Sequence, residues 1–162
     1  ARPGDDLETS LQAGQLRRNF QGYTADSCQT LIGLGASSIS RFPGGYVQNA
    51  PSTAAYKQRI AAGEFAASRG YQMTAQDQLR ARAIEHLMCE FTLDLNDIAS
   101  EFGPQAHALE PSLRLMAERF APYAVFDGRK LVIAPEGQPL TRMIASVLDQ
   151  HVPEGVRYSR AS

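Results

Sequence analysis

Cysteine is scarce in this chain, which has two in 162 residues, Cys28 and Cys89, lying 61 positions apart without a CxxC pair. That excludes a disulfide framework, a zinc ribbon and an iron–sulfur cassette built within the chain, and a reducing, cytoplasmic setting is the simpler expectation. An excess of one charge is lacking too. Sixteen basic against seventeen acidic side chains give a net charge of −1, so no global field draws the protein to nucleic acid or to an acidic membrane, although a local basic patch fits within a neutral total. No apolar run approaches the roughly 18 residues of a membrane helix. Residues 1–8 have neither the basic region nor the apolar stretch of a signal peptide. There is no initiator Met, as expected of a mature N-terminus or of a piece of a longer chain. The three histidines His86, His107 and His151 form no HxxxH or HxH pair, so no metal ligand is expected among them. No serine or cysteine has both a base and an orienting acid suggested by its neighbours, and no catalytic residue is assigned within the chain.

With 43% hydrophobic and 20% charged residues, the composition is that of an ordinary folded unit. Its character changes near residue 70. Residues 1–50 are rich in Gly, Ser, Gln and aromatic residues, with a short apolar piece, Leu31, Ile32 and Leu34 among Gly33 and Gly35, that predicts one buried strand between loops. A short helix follows, with Thr53 as N-cap, Tyr56 and Ile60 on its inner face and Gly63 at its end. Residues 64–71 read as a connector. From Thr74 the helical period is plain: Leu79, Ala83, Ile84, Leu87, Met88 and Phe91 recur on one face behind a Thr74-x-x-Asp77 capping box. Asp94 starts a second helix, stopped at Gly103-Pro104, and Pro111 opens a third bearing Leu113, Met116, Ala117 and Phe120. Two apolar stretches around Asp127-Gly128 predict a hairpin near 123–133 with a type I′ turn. Leu140, Met143, Ile144, Val147 and Leu148 then mark one amphipathic helix before a polar tail.

Three helices, a two-stranded wing and a closing helix resemble a winged-helix arrangement, which can place its third helix in the major groove of DNA. Here that helix carries Glu110, Arg114, Glu118 and Arg119, and without a basic surplus a nucleic-acid or protein-interaction module is the secondary reading. Gly33-x-Gly35 is an incomplete nucleotide fingerprint, because Ser38 occupies the third glycine position and no long helix opens there. The glycines either let backbone approach a flat ligand or let the chain turn sharply. Cys89, inside a strong helix, reads as a buried inert thiol, whereas Cys28 has no assigned role.

More specific are Arg18, Asn19, Phe20, Gln21, Gly22, Tyr23 and Thr24, then the glycine string Gly33 to Ser40, then Tyr46, Val47, Gln48 and Asn49. Together with Cys89 and Phe91 in the main helix and the closing Tyr158, Ser159, Arg160 and Ala161, these strings resemble oxygen-independent coproporphyrinogen III oxidase, a radical S-adenosylmethionine family of haem synthesis. The family's CxxxCxxC motif, which holds a [4Fe–4S] cluster, is absent from this sequence. The resemblance therefore implies the family's C-terminal portion. In that reading the fold is α+β and mainly helical: residues 1–50 are the terminal strand and loops of a partial (β/α) barrel, 51–73 a connecting helix and linker, and 74–162 a helical, winged-helix-like domain with one β-hairpin.

For the full-length parent the resemblance implies S-adenosyl-L-methionine and a [4Fe–4S] cluster as cofactors, coproporphyrinogen III as substrate, and the N-terminal barrel of the same polypeptide as partner. The reaction it implies is loss of two propionate carboxyls to leave the vinyl groups of protoporphyrinogen IX. Residue by residue, Ile39 matches the family's cofactor-contacting isoleucine, and Gln21 matches a glutamine facing the same cavity. Two departures stand out: Ala81, where the family tends to have a second Arg in the helix, and Ser38, where it usually has Ala.

Overall fold

The computed structural model describes residues 2–19 and 22–149. Thr74 anchors the element on which the others depend. Its hydroxyl oxygen accepts a hydrogen bond from the Asp77 N–H at 3.1 Å, and Asp77 Oδ2 accepts from the Thr74 N–H at 2.8 Å, so the capping box closes in both directions and starts α3 (Ala75–Glu90). Leu79, Ala83 and Leu87 fall on one face and are fully buried. Phe91 ends the helix in a left-handed conformation, φ +59°, a position more often taken by glycine.

Around α3 the chain lays down β6 (Thr92–Asp94), α4 (Leu95–Phe102), α5 (Glu110–Arg119), β7 (Ala124–Phe126), β8 (Lys130–Ile133) and α6 (Thr141–Ala145). Asp94 caps α4 as the sequence predicts, its carboxylate accepting from the Asn96 N–H at 2.9 Å. Gly103-Pro104 ends α4 but does not end helicity, since residues Gly103–Leu109 continue as a 3-10 helix leading into α5. The hairpin is present with its turn moved by one residue. Phe126 pairs with Leu131 and Asp127 N–H reaches the Lys130 carbonyl at 3.2 Å, so Gly128 and Arg129 are central, not Asp127 and Gly128. Asp127 accepts instead from the backbone N–H groups of Arg129 and Lys130, an Asx-type turn needing positive φ only at Gly128. The sequence gives no sign of β6, which is three residues long, and it completes a three-stranded antiparallel sheet in the order β6-β8-β7. The single terminal helix expected over Leu140 to Leu148 is broken into α6 flanked by two 3-10 segments, and Met143 is exposed.

The N-terminal part departs further from expectation. Asp6–Gln12 form a helix, α1, within the stretch whose composition predicts loop. Residues 31–35 do not form a buried strand: Leu31 makes only an isolated bridge to Arg41, and Ile32 and Leu34 are exposed. The strands lie on either side of that segment. β1 (Arg17–Asn19) pairs with β2 (Gly22–Thr24), and β3 (Ile39–Phe42), β4 (Gly45–Asn49) and β5 (Ala67–Gln72) form an antiparallel meander. β5 occupies the stretch expected to be a connector, because its backbone groups bond to β4 along most of its length although its side chains are exposed. Between them lies α2 (Thr53–Ala61), capped by Ser52 one residue before the expected Thr53, with Ile60 exposed and Gly63 at φ +75°. A side chain at Gly45 would come within 2.1 Å of the Tyr71 carbonyl oxygen, so the β3–β4 turn tolerates only glycine there.

The hydrophobic core lies wholly within residues 79–148, whereas Leu16, Ala50 and Ala66 are the buried apolar residues of the first 72 among those described. Among the described residues no helix is long and apolar enough to cross a membrane. Leu87→Ala, in the centre of the core, should destabilise the chain by about 2–5 kcal/mol, and Thr74→Ala, which opens the capping box, by about 0.5–2 kcal/mol. Urea unfolding followed by circular dichroism checks the ranking.

Candidate functional site

Where the N-terminal strands meet α3, a cleft of about 740 Å³ opens, within the size range of small-molecule sites. Its walls differ in chemistry. Phe42, Pro43, Met73, Ile84 and Phe102 supply apolar surface, while Arg17, Arg18, Arg41 and Arg82 bring four guanidinium groups and Glu85 and Glu101 two carboxylates.

These charges are ordered by a network centred on α3. Arg82 donates to both oxygens of Glu101, at 3.1 and 3.0 Å through Nε and at 2.9 Å through Nη2, and reaches Glu85 at 2.9 Å through Nη1. Glu85 also accepts from the Arg18 backbone N–H at 3.2 Å and lies 3.6 Å from the Arg17 guanidinium. The hydrogen bond and charge of Arg82 hold the Glu101 carboxyl below its ordinary value, against a smaller opposing effect of burial. Arg41 donates from Nη1 to the Arg18 carbonyl at 3.3 Å, and the Arg18 guanidinium stands 5.7 Å from the centre of the Tyr23 ring. Arg18 and Arg41 therefore have no carboxylate partner among the described residues.

Ile39, the predicted cofactor contact, begins β3, half-buried and opposite Gln48. It does not line the cleft, but Arg41, two residues along and so on the same face of the strand, does. Gln21, the other predicted contact, lies outside the described residues, as do His151 and the closing tail. Gly33 serves its own chain: a Cβ there would fall 2.7 Å from the Ile39 carbonyl oxygen. The glycine string lets backbone pack on the start of β3. Asn49 clamps it, donating from Nδ2 to the Gly33 and Gly35 carbonyls at 3.0 Å each.

A [4Fe–4S] cluster does not fit residues of this chain. Cys28 is exposed and its thiol points to the Thr30 carbonyl at 3.2 Å, whereas Cys89 is buried with its thiol pushed up to about 11 by desolvation and the nearby Glu85. No group of three metal-ligating side chains occurs among the described residues.

The arginine–glutamate network has no motif in the sequence. Its detectable trace was small: the adjacent pair Arg17 and Arg18, and Arg82 with Glu85 one turn apart. Ala81, noted as a departure from the resembled family, lines the cleft.

No protein-family model matches the chain. Individual proteins do. An oxygen-independent coproporphyrinogen III oxidase of Cereibacter sphaeroides is 48% identical over 163 residues, covering all of this chain and 36% of the relative. The enzyme of that name from Paracoccus denitrificans is 49% identical over 149 residues, covering 92% of this chain and 33% of the relative. Among solved structures, coproporphyrinogen III oxidase from Escherichia coli, described as a radical SAM enzyme, superposes with a TM-score of 0.86 at 29% identity over 94% of this chain and 36% of its own length. The fold is thus that of the C-terminal portion of a radical SAM enzyme. At 48% identity along its whole length, the chain belongs to the oxygen-independent coproporphyrinogen III oxidase family. It spans about 36% of the length of the first relatives.

The Arg82–Glu101 pair carries a pH signature. A carboxyl whose folded-state pKa is depressed stabilises the fold above its unfolded value and loses that contribution as pH falls through the folded value. Glu101→Gln should therefore lower stability at neutral pH and flatten the decline between about pH 5 and pH 3, near the ordinary range of glutamate. Urea midpoints of both proteins across that range measure it.

Proposed function

We propose that this chain is the C-terminal portion of an enzyme that oxidatively decarboxylates two propionates of coproporphyrinogen III to the vinyl groups of protoporphyrinogen IX. The observation that carries the reading is the match to coproporphyrinogen III oxidases along the entire chain. When bound in the whole enzyme, S-adenosyl-L-methionine and a [4Fe–4S] cluster supply the hydrogen-abstracting chemistry. The cluster's ligands belong to the preceding barrel, because this chain has no three-cysteine cradle.

Within the whole enzyme, residues 1–50 close the barrel, 51–73 connect, and 74–162 cover the active site. Support comes from the distribution of apolar surface. Ile32, Leu34 and Phe65 are 59%, 83% and 95% exposed, as suits a segment that completes its burial against the N-terminal barrel of the same polypeptide. The order helix–strand–helix–helix–strand–strand, with its sheet ordered β6-β8-β7, supports a winged-helix-like covering domain. Its third helix is poorly suited to phosphates, since Arg114 is paired with Glu110 at 2.6 Å and stands over the Phe126 ring, and Arg119 stands over Phe120. Ile39 packs its branched side chain on the cofactor and excludes water there, and Gln21 makes a polar contact in the same cavity.

The polypeptide comprising this chain and its barrel, assayed anaerobically with S-adenosylmethionine, reductant and coproporphyrinogen III, should yield protoporphyrinogen IX, read after oxidation as protoporphyrin IX separated by chromatography from coproporphyrin III. Absence of product from a cluster-loaded protein would refute the proposal. In that protein Ile39→Ala should weaken S-adenosylmethionine binding by about 1–3 kcal/mol while lowering the thermal midpoint less than Leu87→Ala does. Calorimetry and thermal melts separate the two effects, and an unchanged affinity would leave Ile39 a packing residue only.

The chain on its own should gain no cluster. Iron and sulfide analysis after reconstitution should find no stoichiometric iron, and four irons per chain would overturn the assignment of the ligands to the barrel.

A further inference from the structure

We propose that Arg18 and Arg41 form an anion clamp that grips propionate carboxylates of the tetrapyrrole, a residue-level assignment resting on the function proposed above. The cleft gathers four guanidiniums and two carboxylates, and both carboxylates are engaged by Arg82, with Arg17 beside one of them. What remains is a positive pair on strands of two separate sheets, joined through the Arg18 carbonyl. Arg41 uses one N–H on the Arg18 carbonyl, and a guanidinium has five such donors in a rigid fork matched to a carboxylate.

The pair is held in place before any ligand arrives. Arg18 is fixed through its backbone N–H to Glu85 and through its side chain over Tyr23, and Arg41 is fixed to the Arg18 carbonyl, so little side-chain freedom is lost on binding. Glu85 and Glu101, which would repel a carboxylate, are paired with Arg82 and, at Glu85, with Arg17 as well. Besides the cations the cleft offers the apolar side chains of Phe42, Met73, Ile84 and Phe102. A ligand suited to such walls has a broad apolar body and more than one carboxylate, the chemistry of a macrocycle bearing propionates. A phosphate-rich ligand of comparable charge would leave the apolar wall unmatched. The amino-acid carboxylate of S-adenosylmethionine is the competing anion, and the experiment separates it.

The test uses the whole polypeptide with its barrel, in wild-type form and as Arg18→Gln, Arg41→Gln, Arg18→Lys and Arg41→Lys. Coproporphyrin III, the stable oxidised form of the substrate, is the probe, with its tetramethyl ester as the uncharged control, and binding is read by fluorescence quenching. S-adenosylmethionine affinity and thermal midpoint are measured in parallel. Each Gln variant should bind coproporphyrin III roughly ten- to hundredfold more weakly, the loss expected for a charge-assisted hydrogen bond, with S-adenosylmethionine affinity unchanged. Each Lys variant should retain the wild-type midpoint and recover part of the lost affinity, which a merely structural role would not produce. The ester should bind weakly and equally to all five proteins. Gln variants that bind the porphyrin as wild type does, that lose the ester in the same proportion, or that lose S-adenosylmethionine alone would overturn the clamp. Wild-type protein that turns over coproporphyrinogen III while its Gln variants bind normally refutes the clamp and leaves the function standing. Wild-type protein that neither binds the porphyrin nor yields product refutes both.

Discussion

The carboxylate of Glu85 is where the two halves of the chain are joined. It projects from α3, whose opposite face is buried in the core, and accepts from Arg82 on its own helix, from the backbone of Arg18 and, at longer range, from Arg17. Tyr23 adds a second tie nearby, its hydroxyl donating to the Met88 carbonyl at 3.0 Å. The β1–β2 hairpin would otherwise rest on a helix through three-residue strands alone, too short to be stable unsupported. The attachment is polar and half-buried, and the cleft opens beside it. The same guanidiniums that neutralise α3's acidic side also line that cleft.

This arrangement explains the uneven distribution of core. The buried apolar residues from Leu79 to Leu148 form one hydrophobic cluster that includes the inner face of α3. The first 72 residues instead satisfy their backbone by pairing, in a hairpin and a meander, and through side-chain clamps such as Asn49 on the glycine string and the hydroxyl of Ser40 on the Gly33 N–H. They resemble the edge of a larger domain more than a domain. That matches a chain spanning about 36% of its relatives' length, and Ile32, Leu34 and Phe65 stand exposed on this half.

How much of this was legible in sequence follows from the range over which each determinant acts. The capping box at Thr74, the α3 period, the Asp94 cap and the hairpin's location are written within a few residues, and the structure has them. The turn's register was not, because Asp127 bonds to the backbone beyond it and overrides the Asp-Gly preference for a type I′ turn. β6 is too short to show alternation, and β5 has no buried side chain to give a pattern, so both exist only through partners. The apolar run near Leu31 misled for the converse reason: hydrophobic residues predict burial, but Ile32 and Leu34 are exposed. Of the site, Ile39 and Gln21 came from family strings, while the arginine–glutamate network depends on Arg17, Arg18 and Arg41 meeting Arg82, Glu85 and Glu101 across long separations, which no local pattern encodes.

β3 connects these observations. Its alternation puts Ile39 and Arg41 on one face about 7 Å apart, with Gln48 and Tyr46 opposite them on β4 and Arg69 and Tyr71 opposite those on β5. The apolar end of this row abuts the glycine string, where Gly33 packs on the Ile39 backbone, and the charged end opens to the cleft. A strand fixed on one side by Gly33 and on the other by β4 cannot slip by one residue without turning both side chains away. If Ile39 packs on a cofactor and Arg41 holds a substrate carboxylate, the spacing between the two bound molecules is set by covalent strand geometry, not by loops that can drift. Radical chemistry at a particular propionate needs that kind of fixed distance, because the abstracting and donating carbons must meet within a fraction of an ångström of the productive separation.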